Sequence, residues 1–299
     1  MNSLTLAGAA PRSLLLPALL ACYVIWGSTY LAIRLALASF PPFFQMGTRF
    51  LLAGGLLLAW CALRGAPWPT AVQWRNAAIV GGLMLGAGMG LTATAEQHVG
   101  SGLVAAFIAI VPMLVCFWGR LFGLRPSRLE LAGMAVGLVG VLLLVRGASF
   151  AAAPSAFACL AAATLGWSLG SVLSTTRFPL AAGPMGFASE MLCGGAALML
   201  VSLVLHEQPQ WPPQPLAAAA WLYLVVAGSL VAFSAYLYLL AHASPALATS
   251  YAFVNPVIAL LLGIGVAGEA VTAGEWVGCG VILAGVMLIF RGKTAPKTA

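Results

Sequence analysis

The chain alternates between long apolar runs and short breaks rich in proline, glycine and arginine. A transmembrane helix needs about 20 apolar residues. Proline and glycine clusters such as Pro41-Pro42 and Gly183-Pro184 end a helical pattern. We therefore predict an all-α polytopic membrane protein with ten transmembrane helices. Their approximate bounds are 14–35, 42–63, 77–96, 100–122, 129–146, 155–175, 184–205, 217–240, 246–267 and 274–290.

The composition excludes a soluble domain. Of the 299 residues, 62% are hydrophobic and 6% are charged, whereas a soluble domain carries about 25% charged residues. The net charge of +7 does not indicate nucleic-acid binding, because the basic residues stand singly between apolar runs. The six cysteines lie in apolar runs without a CxxC pair, which favours neither a disulfide framework nor a metal site. We expect the lipid bilayer as a partner, no nucleic acid, no metal and no cofactor.

Lysine and arginine are unevenly distributed between the two sides of the predicted membrane. If the N-terminus is cytoplasmic, ten basic residues fall inside. Two, Arg34 and Arg146, fall outside, and Arg49 remains within a span. Cytoplasmic loops carry the excess of basic residues in membrane proteins. This asymmetry predicts that both termini are cytoplasmic.

The two halves of the chain resemble each other. The stretch from His98 to Pro112 aligns with His242 to Pro256 at a constant offset of 144 residues. We therefore divide one membrane domain into two five-helix repeats, 14–146 and 155–290. Because each repeat has an odd number of spans, the second must be inverted in the membrane. Inverted repeats are typical of transporters and place a binding site near the midplane, between the halves.

Aromatic and hydroxyl side chains mark the opening helix of each half as a candidate substrate site. Trp26 and Trp167 lie mid-span, and Tyr30 and Ser171 follow one turn later. Two indoles of this kind suit a central cavity that holds an apolar or aromatic group, with hydroxyls for polar groups. The alternative is that these aromatic side chains face lipid or serve only in packing.

Two prolines lie mid-span at matching positions. Pro112 and Pro256 each remove a backbone hydrogen bond and free a carbonyl. Matched breaks in an inverted repeat indicate a binding site or a hinge, although a static kink explains them equally well. Asn255 adds an amide beside the second break, and Tyr251 lies one turn earlier. We include both as substrate-binding candidates.

Arg49 and Glu190 are the ionisable residues that lie inside predicted spans at corresponding repeat positions. Burial of such groups costs about 3 kcal/mol on insertion scales. They are candidates for gating or coupling, at opposite depths. The alternative, which we prefer, is that each side chain extends towards the nearer interface. Glu190 lies about 9 Å from the start of its helix at 1.5 Å per residue, short of the midplane, so we expect no dominant proton coupling.

Three short motifs resemble the drug/metabolite transporter superfamily in its ten-helix EamA-type branch. Trp26-Gly27-Ser28-Thr29-Tyr30 is similar to the family's "WGS" opening, and Arg49-Phe50-Leu51-Leu52-Ala53 to its "RFLLA" segment. Gly268-Glu269, followed by Glu275-Trp276-Val277-Gly278, is similar to its "GE…G…G" ending. Arg125 departs from the pattern, since the family often has Glu there. The resemblance covers essentially the whole chain.

This resemblance implies a bacterial inner-membrane exporter of small metabolites, similar to YddG-type exporters of aromatic and other neutral amino acids. It implies a small-molecule substrate carried by alternating access. A monomer is one option that the sequence leaves open.

Alternative functions remain within and outside this fold. A drug or other metabolite efflux carrier fits the same architecture. A nucleotide-sugar carrier fits less well, because diphosphate calls for basic residues and only Arg49 is available. An intramembrane enzyme is disfavoured, since no lysine precedes Lys293 and no two carboxylates share a span. The chain has no Walker A motif and is therefore not an ATP-driven pump on its own.

Overall fold

The computed structural model describes residues 14–144, 154–267 and 273–292, with ten helical stretches among them. The predicted markers Arg12, Arg146, Gly268-Glu269, Lys293 and Lys297 lie outside these residues. The helices are α1 (Leu15–Ala36), α2 (Pro42–Leu63), α3 (Ala71–Glu96), α4 (Ser101–Leu121), α5 (Arg128–Leu144), α6 (Pro154–Thr175), α7 (Pro184–Val204), α8 (Pro215–His242), α9 (Pro245–Ala248 and Tyr251–Ala267) and α10 (Ala273–Gly292).

The predicted fold class is confirmed: this is an all-α polytopic membrane protein, with no strand in the described residues. Eight of the helices are long and apolar enough to cross a membrane. In the described part of the chain, α5 has 17 residues and the apolar stretch of α10 is Trp276–Gly292. The count of ten spans therefore stays a prediction.

Local chemistry explains where the helices begin and end. Proline occupies a first-turn position in α2, α7 and α8, where its missing N–H costs nothing. The start of α3 lies six residues before the predicted 77, because Thr70 and Gln73 form a capping box. At the end of α2, Gly65 has a φ of +71°. There Ala66 donates its backbone N–H to the carbonyl of Cys61, which closes a Schellman turn.

The helix contacts are paired between the two halves. Helix α2 packs along α7, and α5 along α10. Helix α1 contacts α8 and α9, while α6 makes the corresponding contacts with α3 and α4. Glycine allows the close approach of α5 and α10: a Cβ on Gly133 would lie 2.6 Å from the carbonyl oxygen of Gly285. The pairing is the one expected for two similar halves, and their inverted orientation stays a prediction.

Loop contacts define two ends of the helix bundle. We call the end where α1 begins the proximal end and the other the distal end. At the distal end, Gln210 donates its backbone N–H to the carbonyl of Ser39, at 2.8 Å. At the proximal end, the Asn76 amide donates to the carbonyl of Pro179, at 2.9 Å.

The two predicted proline breaks are not equivalent. Helix α4 is interrupted by a turn at Ala109–Ile110, two residues before Pro112. In α9 the turn falls at Thr249–Ser250, and Pro256 lies within the continuous helix Tyr251–Ala267. The interruption of α9 therefore precedes Pro256 by six residues, and the role of Pro256 as a hinge stays a prediction. The hydroxyl groups of Thr249 and Ser250 instead donate to carbonyls one turn earlier, which satisfies the backbone at the actual interruption.

Candidate functional site

Four aromatic side chains from four helices meet at the centre of the bundle. Trp26 of α1 lies 5.5 Å from Trp167 of α6 and 4.7 Å from Tyr251 of α9, measured between ring centroids. Tyr236 of α8 stacks on Trp167 at 5.5 Å and meets Tyr251 edge-on at 5.4 Å. We call these four residues the aromatic cluster. The structure thus brings together the two sequence-predicted tryptophans and Tyr251, and adds Tyr236.

A cavity lies on the distal side of this cluster, and we call it the central cavity. It encloses about 480 Å³ of empty space, its open side included. Trp26, Tyr30, Trp167 and Tyr251 are in its wall. The remaining wall residues are small, apolar or hydroxylic: Thr29, Ile33, Gly88, Met89, Thr92, Ile108, Val111, Ala163 and Thr164. None of these residues carries a charge.

Two of the predicted binding residues do not reach the central cavity. The Ser171 hydroxyl pairs with the Tyr236 hydroxyl at 2.8 Å. The Asn255 amide donates to the Tyr30 hydroxyl at 3.3 Å. Each lies behind the tyrosine that it holds, because buried polar groups are usually satisfied by a hydrogen-bond partner. Ser171 and Asn255 thus support Tyr236 and Tyr30, and their direct contact with substrate stays a prediction.

Two buried polar atoms at this site have no hydrogen-bond partner. These are the indole nitrogen Nε1 of Trp167 and the amide oxygen Oδ1 of Asn255. An unpaired buried donor or acceptor costs about 1–3 kcal/mol. Such atoms are candidates for contact with a substrate or with ordered water.

Each tryptophan rests on a glycine of the other half. The indole N–H of Trp26 donates to the carbonyl of Gly228 at 3.2 Å. A Cβ on Gly88 would lie 3.1 Å from the ring of Trp167. Both glycines lie in π-helical segments, Gly82–Met89 of α3 and Leu224–Phe233 of α8. Such segments occur frequently at functional sites.

The sequence analysis missed Tyr236 and both glycines. The glycines had a usable signal: the 141-residue offset between the two tryptophans carries Gly88 to within one residue of Gly228. Tyr236 had no such signal, since its contribution depends on how α8 is rotated towards α6.

Arg49 and Glu190 are both buried inside the bundle. Arg49 is 1% exposed and Glu190 is 0% exposed, so the preferred interpretation, that they extend towards the interfaces, is wrong. The reason is packing, because α2 and α7 lie against each other and other helices cover these faces. Neither carboxyl oxygen of Glu190 has a hydrogen-bond partner. Gly47 contacts Met199 whereas Gly54 contacts Met191, which places the two charged residues at different heights along this helix pair.

A wider groove lies on the proximal side of the aromatic cluster. This proximal groove contains about 1,660 Å³ of empty space, open solvent included. Ser174 and Leu237 line it, while Ser171 and Tyr236, close to them along the chain, form the hydrogen bond within the bundle. The aromatic cluster therefore separates the central cavity from the proximal groove.

The fold and these two spaces define a polytopic membrane protein with an uncharged cavity at its centre. The model of the EamA-like transporter family matches the chain twice, over residues 14–146 and 154–291. The chain belongs to this family of membrane transporters, as its motifs predict.

Relatives of known sequence and structure agree with this assignment. The chain is 43% identical over 277 residues to the uncharacterized inner membrane transporter YedA of Escherichia coli, with 92% of this chain and 90% of that protein covered. It is 29% identical over 280 residues to a probable terminal-alkyne amino-acid exporter of Streptantibioticus cattleyicolor, covering 92% of each. A protein of known crystal structure has the same fold, with a TM-score of 0.77, 22% identity, and 94% and 98% coverage.

Proposed function

We propose that this protein is a secondary transporter that exports small neutral metabolites, above all aromatic and other neutral amino acids. It acts across the bacterial inner membrane with both termini in the cytoplasm. The observation that carries the proposal is the uncharged central cavity between the two halves, walled by Trp26, Trp167 and Tyr251. The similarity to a probable amino-acid exporter supports this class of substrate.

The wall of the central cavity suits a zwitterion without net charge. The hydroxyl groups of Thr29, Thr92 and Thr164 donate to carbonyls of their own helices, at 2.7–2.9 Å. Their oxygen lone pairs are left to accept hydrogen bonds, for instance from an ammonium group. The indole faces also attract a cation, and the unpaired N–H of Trp167 is a donor for a carboxylate.

Alternating access requires the barrier between the two spaces to open. We place this barrier at the aromatic cluster, where the Ser171–Tyr236 hydrogen bond joins α6 to α8. Its opening connects the central cavity with the proximal groove. Pro112 and the turn at Thr249–Ser250 are the candidate hinges, since interrupted helices surround the sites of transporters.

The test is uptake of a panel of labelled amino acids into proteoliposomes. We expect saturable uptake of neutral members and a strong reduction in Trp167→Ala and Asn255→Ala, both of which should remain folded. Trp276→Ala is the matched control, because that tryptophan is 53% exposed on α10. Transport at the wild-type rate in both site variants would remove these residues from the site.

A drug or other metabolite efflux carrier is the second candidate. The observation that favours it is the apolar part of the cavity wall, with Ile33, Met89, Ile108 and Val111. Adding a lipophilic cation to the panel separates the two functions. Transport of that cation, with no amino acid transported, would replace the first proposal by the second.

A further inference from the structure

Arg49 lies outside the central cavity but is tied to the segment that holds Trp26. Its Nε donates to the Ser229 hydroxyl at 2.6 Å, and Nη1 lies 3.6 Å from the sulfur of Met46. The side chain of Ser229 in turn donates to the carbonyl of Leu224, at 3.2 Å. All of these groups are buried or partly buried, and Arg49 does not line the cavity.

The neighbour of Ser229 connects this arginine to the site. A Cβ on Gly228 would lie 2.6 Å from Nη2 of Arg49, so a larger residue there would displace the guanidinium. The carbonyl of the same Gly228 accepts the hydrogen bond from the indole of Trp26. Arg49 and Trp26 therefore contact the same residue of the π-helical segment of α8.

A second path runs through aromatic rings. The guanidinium of Arg49 stacks over the ring of Phe50, at 4.8 Å from its centroid. Phe50 lies 6.3 Å from Phe233, which lies 6.4 Å from Trp167. Cation–π contacts of this kind gain strength when the groups are desolvated. Arg49 thus supports both tryptophans from behind the aromatic cluster.

An ordinary ion pair does not explain this arginine, because no carboxylate within salt-bridge distance of it is described. An ionised group buried in this way costs several kcal/mol unless its surroundings compensate. The compensation comes from the Ser229 hydroxyl, the Phe50 face and the Met46 sulfur. This arrangement depends on a planar group with several fixed donors, which lysine lacks.

We propose that Arg49 is a positioning residue: through Ser229 and Gly228 it sets the place of Trp26 in the wall of the central cavity, and so the affinity for substrate. The expected effect of Arg49 on substrate affinity rests on the proposed function. Its structural part, the coupling of Arg49 to Trp26, does not need a known substrate.

The test compares Arg49→Lys, Ser229→Ala and Trp26→Phe, which removes the indole N–H but keeps an aromatic ring. The matched control is Arg64→Lys, because Arg64 is also stacked on a tryptophan ring, at 5.2 Å from Trp60, but is exposed. The first readout is the near-ultraviolet circular dichroism of the purified protein in detergent, which reports the packing of aromatic side chains.

We expect Arg49→Lys and Ser229→Ala to shift the aromatic spectrum in the direction of Trp26→Phe, and Arg64→Lys to leave it unchanged. In a Trp26→Phe background, Arg49→Lys should add little, since coupled residues are not additive. The assignment would be overturned if Arg49→Lys and Ser229→Ala both had the wild-type spectrum. It would also be overturned if the changes of Arg49→Lys and Trp26→Phe were fully additive in the double variant. If Arg49→Lys does not fold, Ser229→Ala decides the outcome, because it removes a single oxygen atom.

The second readout is transport of the amino acid that wild-type proteoliposomes take up fastest. We expect Arg49→Lys to raise the half-saturation concentration by about fivefold, with the maximal rate and the melting temperature nearly unchanged. A fall in maximal rate and melting temperature at an unchanged half-saturation concentration would indicate a structural role only. If no amino acid is transported, the proposed function fails, while the spectroscopic result still decides the Arg49–Trp26 coupling.

Discussion

The two central tryptophans differ in the surroundings of the indole nitrogen Nε1. The indole N–H of Trp26 is used by the carbonyl of Gly228, whereas that of Trp167 has no partner. Trp26 is thus held by the protein, and Trp167 offers a free donor beside the central cavity. The sequence places both tryptophans mid-span but treats them as equivalent, because the acceptor for Trp26 comes from a helix about 200 residues away.

Replacement of Trp167 by phenylalanine isolates that donor. We expect Trp167→Phe to raise the half-saturation concentration for a carboxylate-containing substrate by about tenfold, the loss of one hydrogen bond to a charged group. The melting temperature should fall as well, because the smaller ring leaves a space beside Tyr236 and Gly88. Equal half-saturation concentrations for the wild type and Trp167→Phe in proteoliposome uptake would show that the substrate does not use this N–H.

Glu190 is buried deeper than its sequence position suggests. Its carboxyl group does not extend towards water, although it still lies six residues after Pro184, about 9 Å from the start of α7. A buried ionisable group in a membrane protein is a functional candidate by default. However, Glu190 does not line the central cavity. A proton that is exchanged for substrate would bind in that cavity, in competition with the substrate.

We still expect Glu190→Gln to transport at a reduced but measurable rate, because glutamine keeps the shape of the side chain. A pH gradient should have little effect on the wild type. Efflux from proteoliposomes is measured with and without an imposed proton gradient. Strong stimulation of the wild type that disappears in Glu190→Gln would establish an antiporter.

Between helices, the carboxylate of Glu207 adds a contact between the two halves at the distal end. The carboxylate of Glu207, which follows α7, accepts hydrogen bonds from the backbone N–H groups of Phe43 and Phe44, at 3.2 and 2.7 Å. These groups belong to the first turn of α2, where a negative charge also complements the helix dipole. The proline-rich loop after Glu207 is thereby fixed against the turn between α1 and α2.

Loss of this cap should destabilise the protein. We expect Glu207→Ala to cost about 1 kcal/mol, as for other helix caps, and to lower the melting temperature in detergent by about 2–4 °C. Glu207→Gln keeps an acceptor oxygen and should lose less. Gln208→Ala is the control, because that side chain is exposed in the same loop. An unchanged melting temperature for Glu207→Ala would show that the loop does not stabilise α2.

At the scale of the whole molecule, both cavities lie between helices from the two halves. The central cavity takes residues from α1, α3, α4, α6 and α9, and the proximal groove takes residues from α1, α6, α7 and α8. The aromatic cluster between them takes Trp26 from the first half and Trp167, Tyr236 and Tyr251 from the second. Under the proposed alternating access, the groove reaches the central cavity when this cluster opens, and the Ser171–Tyr236 hydrogen bond between α6 and α8 is one of the contacts that must break.

The orientation of this assembly in the membrane is testable by reporter fusion. A periplasmic alkaline phosphatase fused after Lys297 should be inactive, because the distribution of basic residues predicts a cytoplasmic C-terminus. The same reporter fused after Gly147, in a loop predicted outside, should be active. The reverse pattern would invert the topology, so that the proximal groove would face the periplasm.

The membrane class, the approximate helices and the family follow from the amino-acid sequence without the fold. These properties depend on apolar run length and on local motifs, which the chain carries without reference to its fold. The sequence also indicates Trp26, Trp167 and Tyr251 as candidate site residues, since an aromatic residue in the middle of a predicted span can be identified without the structure.

Which side chains meet depends on how the helices pack. The burial of Arg49 and Glu190, the support of Tyr30 by Asn255, and the place of Tyr236 depend on helix rotation and depth. The length of a span determines neither the rotation nor the depth of its helix. Both are set when helices pack, which brings together residues more than a hundred positions apart in the chain. The turn at Thr249–Ser250 in α9 is likewise a feature of the folded chain, where both hydroxyl groups donate to backbone carbonyls.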